Sequence, residues 1–359
     1  MKLCILCKYH RNGASSRLRT LQYVPYLKRA GFQVETYPLF TASYLEDLYS
    51  INRRRLRHFI QAYLQRMVRL VSMRNFSLIW VEKELFPYLP SAFEQIIRLA
   101  NVPYVLDYDD AVFHSYDKSS NVVIRFLLRS KLHGLIKFSS LVIAGNPYLA
   151  SYALDSGASN VIIVPTVVDT SKYLYRGSAV CSPVHSLRIG WIGTPQTVKY
   201  LETLLPVFES LSGYSITLVI VGARLSRSLS IDIECNDWSE STEALLISSF
   251  DIGIMPLLDM PWEQGKCGYK LIQYMACGKP VIASPVGINK LIVTPNVGLL
   301  ASSVEEWIHC IVHLYSNPGL RGAMGVNARS AAEACYSLSS WSNLVSTELF
   351  KLAKSKSNS

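Results

Sequence analysis

Short apolar runs of strand length alternate with longer stretches of helical period from one end of the chain to the other. This alternation most narrows the folds available. Leu3–Cys7 is an apolar run, and the polar loop Asn12-Gly13-Ala14-Ser15-Ser16 follows it. Leu18, Leu21, Val24 and Leu27 then recur every third residue up to Gly31. That recurrence reads as a helix stopped by the glycine, with Pro25 expected to kink or break it. Further strands are expected at Phe32–Tyr37, Leu78–Val81, Tyr104–Leu106, Leu141–Ala144 and Val161–Val164. A second series is expected at Arg188–Ile192, Thr217–Val221, Ile252–Met255 and Val281–Ala283. Strands joined by helical crossovers form parallel sheets, so the expected class is α/β.

A chain of 359 residues, at about 150 residues per domain, suggests two domains. Asp169–Ser186 holds Gly177, Ser178, Ser182 and Pro183 and reads as a linker. The expected division is 1–170, a linker at 171–186, 187–335, and a C-terminal helix with a polar tail over 336–359 that crosses back to the first domain. The chain is expected to be helical from Pro318 to Lys354. Two doubly wound domains facing each other would leave a cleft at the carboxyl ends of their strands, where ligands bind.

Half of the residues are hydrophobic and 17% are charged, which excludes a disordered, collagen-like or coiled-coil chain. No run approaches the roughly 18 apolar residues that a spanning helix needs. The apolar run at the N-terminus is too short for a signal peptide. The eight cysteines are dispersed, which suggests a reduced, cytoplasmic protein. Cys4 and Cys7 lie within a strand run, and no second pair completes a zinc site.

The net charge of +10 is unevenly spread: residues 1–175 carry 22 Lys+Arg against 12 Asp+Glu, whereas 176–359 carry 14 of each. A basic N-terminal half points to an anionic partner.

Three stretches carry chemistry. Asp251–Leu257 and then Gly265–Ala283 read as strand, glycine-bearing loop, helix, glycine stop and strand. Glycines before a helix let backbone N–H groups approach a phosphate, and Lys266 and Lys270 add positive charge there. An ordinary loop with solvated lysines has the same pattern. Arg188–Pro195 runs through Gly193 and Thr194 towards Lys199. Asp107-Tyr108-Asp109-Asp110-Ala111-Val112-Phe113-His114 puts three carboxylates at the end of a strand, where they serve a cleft, a cation or a helix cap.

The Tyr274–Ala283 stretch resembles the donor-binding region of retaining glycosyltransferases of family 4, which have the GT-B fold of two Rossmann-like domains. Within that resemblance Gln273 stands where a glutamate binds the ribose. Gly265 replaces the other glutamate, with Glu263 two residues earlier. The resemblance implies that Gly193, Thr194, Lys199 and Lys270 meet the donor diphosphate. Thr194 replaces the family's arginine, and Arg224 is the candidate to supply the missing charge. Trp238 would lie beside the base. Gly13 and Arg17, in the loop after the first strand, fall on the acceptor side, as do Asp109 and Asp110. Asp110 is the first choice for a base towards the acceptor hydroxyl, and His114 the second. Asp107-x-Asp109 also fits the metal-binding motif of the single-domain GT-A fold, but the C-terminal half carries its own donor-site pattern, which argues against it. The resemblance implies no metal and no cofactor, only a nucleotide-sugar co-substrate.

Arg53–Ser72 spaces Leu56, Phe59, Ile60, Tyr63, Leu64, Met67, Val68 and Val71 at a helical period, and Ile51–Phe76 holds seven arginines and no acid. The apolar face is expected to pack on a sheet. Arg53, Arg54, Arg57 and Arg66 are expected on the solvated side, where they meet anionic lipid headgroups. Nucleic acid is not expected, since the interleaved aromatics lie on the apolar side.

The expected activity is transfer of a sugar, with retention, from a nucleotide-diphosphate donor to a glycan or lipid-linked acceptor in cell-surface polysaccharide or glycolipid synthesis. A cytoplasmic protein, peripheral on the membrane, would carry it out. The alternatives are a GT-B sugar-nucleotide epimerase and a non-catalytic nucleotide-sugar-binding protein.

Overall fold

The structure is a computed structural model. It describes residues 1–11, 13–41, 56–173, 175 and 186–355, with the side chains of 56 and 57 left aside. Most of the expected linker, Arg53 and Arg54, and the last four residues of the tail lie outside the described residues. The chain forms two compact units. The first comprises Met1–Thr166, Gly265–Cys267 and the chain from Ser339 onward; the second comprises Val167–Gln264 and Gly268–Leu338.

The first unit is built on a six-stranded sheet of order β2-β1-β3-β4-β5-β6. Its strands are β1 (Lys2–Leu6), β2 (Gln33–Thr36), β3 (Leu78–Glu82), β4 (Tyr104–Tyr108), β5 (Leu141–Ala144) and β6 (Val161–Ile163), all parallel. The second unit has order β12-β11-β10-β7-β8-β9. Its strands are β7 (Leu187–Ile192), β8 (Ile216–Val221), β9 (Asp232–Asn236), β10 (Ile252–Met255), β11 (Val281–Ala283) and β12 (Gly298–Leu300), again all parallel. Helices cover both faces of such sheets, so the central strands are apolar apart from Glu82 and Asp107 near the carboxyl ends of β3 and β4, and β3, β4, β5 and β10 are buried at every residue.

The expected first helix is broken rather than kinked. It runs as Ala14–Arg19, a short 3-10 turn, and Val24–Arg29, with Pro25 in the opening turn of the last piece, where a missing N–H costs nothing. The expected C-terminal helix also divides, into Pro318–Cys335 and Leu338–Ser355. Between the two, Val168 takes over the backbone pairing: its N–H donates to Tyr336 O (2.9 Å), and its carbonyl accepts from Leu338 N–H (2.8 Å).

The Leu56–Val71 helix corrects two expectations. Arg66 is not solvated: it is 4% exposed, and its Nη2 donates to Cys7 O (2.9 Å) and Tyr37 O (3.1 Å). The inward face is Phe59, Ala62, Tyr63, Arg66 and Leu70, whereas Ile60, Leu64, Val68 and Val71 point to solvent. The guanidinium is buried with two backbone carbonyls at the end of the sheet as its acceptors, of which Cys7 O also accepts from Leu39 N–H (2.9 Å).

Candidate active site

In the first unit the strand order reverses between β1 and β3, the position where open α/β sheets bind ligands beyond the carboxyl ends of their strands. A charged cluster occupies that position. Glu82, the last residue of β3, is buried and accepts from Lys8 N–H (3.0 Å), Ser15 Oγ (3.0 Å) and Ser16 Oγ (2.5 Å). The small-residue loop after β1 is thereby tied to β3. Lys83 follows with a φ of +65°. Its buried ammonium donates to Ser15 Oγ (2.9 Å) and lies 2.9 Å from Asp109 Oδ1 and 3.5 Å from Asp110 Oδ2. Lys266 Nζ stands 3.7 Å from Asp110 Oδ1.

Burial would raise the Asp109 carboxyl, but Lys83 more than reverses this and holds it below the usual carboxylate range. Burial would lower the Lys83 ammonium, yet Asp109 and Asp110 hold it above its ordinary value. Asp110 is 30% exposed, the most open carboxylate of the three in the Asp107–Asp110 run. Asp107 plays a different part. It lies within β4, buried, and accepts from Arg19 Nε at 2.5 Å; Arg19 Nη1 also donates to Val164 O (2.8 Å) and Pro165 O (3.0 Å). Burial pushes Asp107 up to about 6 against the pull of Arg19.

The other residues singled out in this unit fall around the cluster. His114 opens a short helix with both ring nitrogens engaged, Nδ1 with Asp117 Oδ1 (2.7 Å) and Nε2 with Tyr148 Oη (2.7 Å). Gly13 N–H donates to His10 O (2.8 Å), and Arg17 is buried with Nη1 3.5 Å from Arg11 O. Asn146, after β5, donates through Nδ2 to Gly265 O and Lys266 O (3.0 Å each). A Cβ at Gly265 would lie 2.5 Å from Ala111 Cβ and 2.8 Å from Ala111 N. A glutamate cannot occupy that position on this backbone.

In the second unit, reading β7 as the first strand, the order is the 3-2-1-4-5-6 of dinucleotide-binding sheets, with its reversal between β7 and β10. These two strands pair only at Ile252 with Ile189 and at Gly253 with Gly190. Beyond those pairs the Tyr274 phenol bridges them, accepting from Ile192 N–H (3.1 Å) and donating to Ile254 O (3.4 Å). Lys270 is one turn earlier on the same face of the Tyr269–Ala276 helix. Its Nζ lies 4.2 Å from the Trp191 ring centroid. The helix starts from Gly268, whose φ of +66° suits a residue without a side chain.

Gly193 N–H donates to Val221 O (2.9 Å), and Thr194 N–H to Thr197 Oγ1 (3.0 Å), which fixes the turn after β7. Lys199 is exposed on the next helix, 4.9 Å from the Tyr200 ring centroid. Arg224 is well exposed and pairs with Asp237 at 3.4 Å. Gln273 is buried and donates to Tyr173 Oη (3.0 Å), which donates to Glu243 Oε1 (2.9 Å). Trp238 Nε1 donates to the other oxygen, Glu243 Oε2 (2.7 Å). Trp238 is therefore a partly exposed partner of Glu243. Glu263 is buried and accepts from the Tyr200 hydroxyl.

The structure thus gathers Asp109, Asp110 and Lys266 in one unit, and Gly193, Thr194 and Lys270 at the strand reversal of the other. Lys83, Glu82, Asn146 and Glu243 were not singled out from the sequence. The signal for the first two was present in Val81-Glu82-Lys83-Glu84, charge directly after an apolar strand, as in the Asp107–Asp110 run. Among the described residues no three His, Cys, Asp or Glu side chains gather as a metal site requires.

Residues 186–317 match the model of the family described as glycosyl transferases group 1. Among solved structures the chain is similar to sucrose-phosphate synthase from Thermosynechococcus elongatus, at a TM-score of 0.75 and 14% identity over 99% of this chain and 100% of that one. It is also similar to Anabaena HepE in complex with UDP and glucose, at 0.70 and 16% over 97% and 99%. A glycosyltransferase from Rickettsia africae matches at 0.65 and 15% over 99% and 98%. No curated protein matches the chain. The fold is α/β of the GT-B type, with two six-stranded parallel sheets. The family match and the fold together support a glycosyltransferase of the group 1 type.

Proposed function

We propose that the protein transfers a sugar, with retention, from a nucleoside-diphosphate donor to a hydroxyl of a glycan or lipid-linked acceptor, in the synthesis of a cell-surface polysaccharide or glycolipid. The observation that carries this reading is Lys270, a cation at the strand reversal of the unit that matches the family model. Lys270 and Lys199 neutralise the donor diphosphate as its bond to the anomeric carbon breaks and the nucleoside diphosphate leaves with the electron pair. The acceptor oxygen forms the new bond to that carbon, and Asp110 takes its proton. Every group in this scheme is a side chain of the chain itself, and no metal is assigned. Anabaena HepE was crystallised with UDP-glucose, which makes UDP-glucose the first donor to try.

Thermal shift with UDP, GDP and ADP, free and as sugar conjugates, tests the donor. A ligand at 100 times its Kd adds about 2.7 kcal/mol. Lys270→Ala should keep the fold and lose about 100- to 1,000-fold in turnover, as when one preorganised donor is removed. Parent-like turnover in that variant would reject the assignment. A parent that binds the sugar nucleotide but neither transfers nor hydrolyses it would be a binding protein instead.

A further inference from the structure

The helices that follow β2, β3 and β4 all cross in the same direction along the sheet, and right-handed crossovers place them on one face of the first unit. They form a continuous layer: Leu56–Val71 packs on the 3-10 turn Ile96–Ala100, that turn on Ser91–Gln95, and Ser91–Gln95 on His133–Lys137. The outer surface of this layer is apolar at several places. Val68 is 73% and Val71 77% exposed, in line with Ile60 and Leu64 on the same helix. Leu99 is exposed in the turn. On the Val122–Leu128 helix, Val122, Val123, Leu127 and Phe126 are exposed, the last at 77%.

The charge on this surface is predominantly positive. Among the described residues from 58 to 154, seven Lys or Arg are exposed, at 69, 74, 98, 118, 125, 129 and 137. No carboxylate in that span is exposed, and one follows it: Asp155, the last residue of the Pro147–Asp155 helix, which crosses from β5 to β6 on the same face. Glu82, Glu84, Glu94 and Asp107 are buried, and Asp109, Asp110 and Asp117 are half-buried. A protein partner of ordinary surface would meet this face with one exposed carboxylate, Asp155, to pair its own lysines. A second copy would set cation against cation. An anionic bilayer satisfies both features, with acyl chains for the aliphatic and aromatic side chains and phosphates for the arginines.

We propose that this face docks on an anionic lipid surface. Leu64, Val68, Phe126 and Leu127 enter the acyl boundary, and Arg69, Arg98, Arg125 and Arg129 meet the headgroups. Arg66, on the same helix as Leu64, takes no part because it is inside the fold. The inference does not depend on the chemistry of sugar transfer.

Co-sedimentation with phosphatidylglycerol–phosphatidylcholine vesicles tests it. The full-length protein should bind at about 0.1 M salt and lose only part of that binding at about 1 M, because screening removes the headgroup attraction and leaves the apolar insertion. Pure phosphatidylcholine should bind it weakly. Leu64→Glu with Val68→Glu, and separately Phe126→Glu with Leu127→Glu, should each lower binding at least tenfold while the melting temperature and circular dichroism stay those of the parent. Parent-like binding by both double variants overturns the proposal, as does a parent that ignores anionic vesicles at low salt. A dimer that forms without lipid and is lost in the same variants would overturn it too, by assigning the face to a second copy.

Discussion

The Lys83 ammonium lies 2.9 Å from the Asp109 carboxylate, on a backbone held at a φ of +65°, and both side chains are largely buried. Each holds the other charged. Asp109 sits below its ordinary value in the fold, so it contributes stability above about pH 4 that is lost as pH falls through its folded value. Lys83 sits above its ordinary value, so its contribution is present below about pH 10.4 and is lost above it. Lys83→Met leaves a buried carboxylate without its partner and should cost about 3–5 kcal/mol. Burial is then opposed chiefly by Arg19, so Asp109 rises above its value in the parent and the stability it contributes above about pH 4 shrinks. Urea midpoints between pH 4 and 8 read this, and adding Asp109→Asn should recover part of the loss. Parallel pH profiles in parent and variant would reject the coupling.

Arg66 and Arg69 are one turn apart and should respond oppositely to the same substitution. Arg66→Gln removes a charged donor from Cys7 O, which keeps Leu39 N–H at 2.9 Å, and from Tyr37 O, and a hydrogen bond from a charged group is worth about 1.5–3 kcal/mol. Arg69 is exposed and lies over the Tyr37 ring at 4.1 Å, so Arg69→Gln should stay within about 1 kcal/mol of the parent. Chemical denaturation of the two single variants decides the matter, and equal stability would contradict the buried placement of Arg66.

The same helix shows where the sequence ceases to be legible. Its period is plain, but eight apolar residues spread around more than one face, and nothing in the pattern says that an arginine's stem fills the inward position while Leu64 faces water. The destination of the Arg66 guanidinium is set by carbonyls of other segments. The central strands were readable because both their faces are covered and their runs are apolar up to the charged residues at their carboxyl ends. β9 was missed because Asp232-Ile-Glu-Cys-Asn236 is a polar edge strand. The Asp107–Asp110 run stood out, yet its division into a partner of Arg19 and two partners of Lys83 follows from the β3–β4 register, which sets Glu82 beside Asp107. At position 265 the sequence displayed the departure from the family pattern, and the contact with Ala111 gives its steric reason.

Gly222 closes β8 at a φ of +81°, and an added Cβ would lie 2.4 Å from Gly193 O. Gly222→Ala therefore carries backbone strain of about 1–3 kcal/mol and a clash with the turn that precedes Lys199. The variant should melt lower and bind nucleoside diphosphate more weakly. Gly213→Ala is the control, because nothing lies within 4 Å of its Cβ, and it should stay within about 0.5 kcal/mol of the parent. If both variants melt alike, the Gly222 turn is not under steric constraint.

In the proposed scheme Asp110 serves the acceptor and not the donor, and its surroundings allow the two roles to be separated. It lies with Lys83 and Lys266 at the end of β4, in the first unit, while the residues assigned to the diphosphate are in the second. Asn is nearly the same size as Asp and can still accept a hydrogen bond, so Asp110→Asn removes the base while disturbing the packing least. Asp109 keeps the closer, 2.9 Å contact with Lys83, which holds the loop in place. Loss of a positioned base costs about 100- to 10,000-fold in turnover. The expected result is therefore a fall of that order in the transfer rate, with the Kd for UDP unchanged within about a factor of two and the melting temperature preserved. Asp109→Asn should instead lower the melting temperature, since it leaves Lys83 buried without its nearest counter-charge. Titration of UDP by calorimetry alongside a transfer assay separates the outcomes. An Asp110→Asn variant that turns over normally, or one that no longer binds UDP, would remove Asp110 from the role of acceptor base.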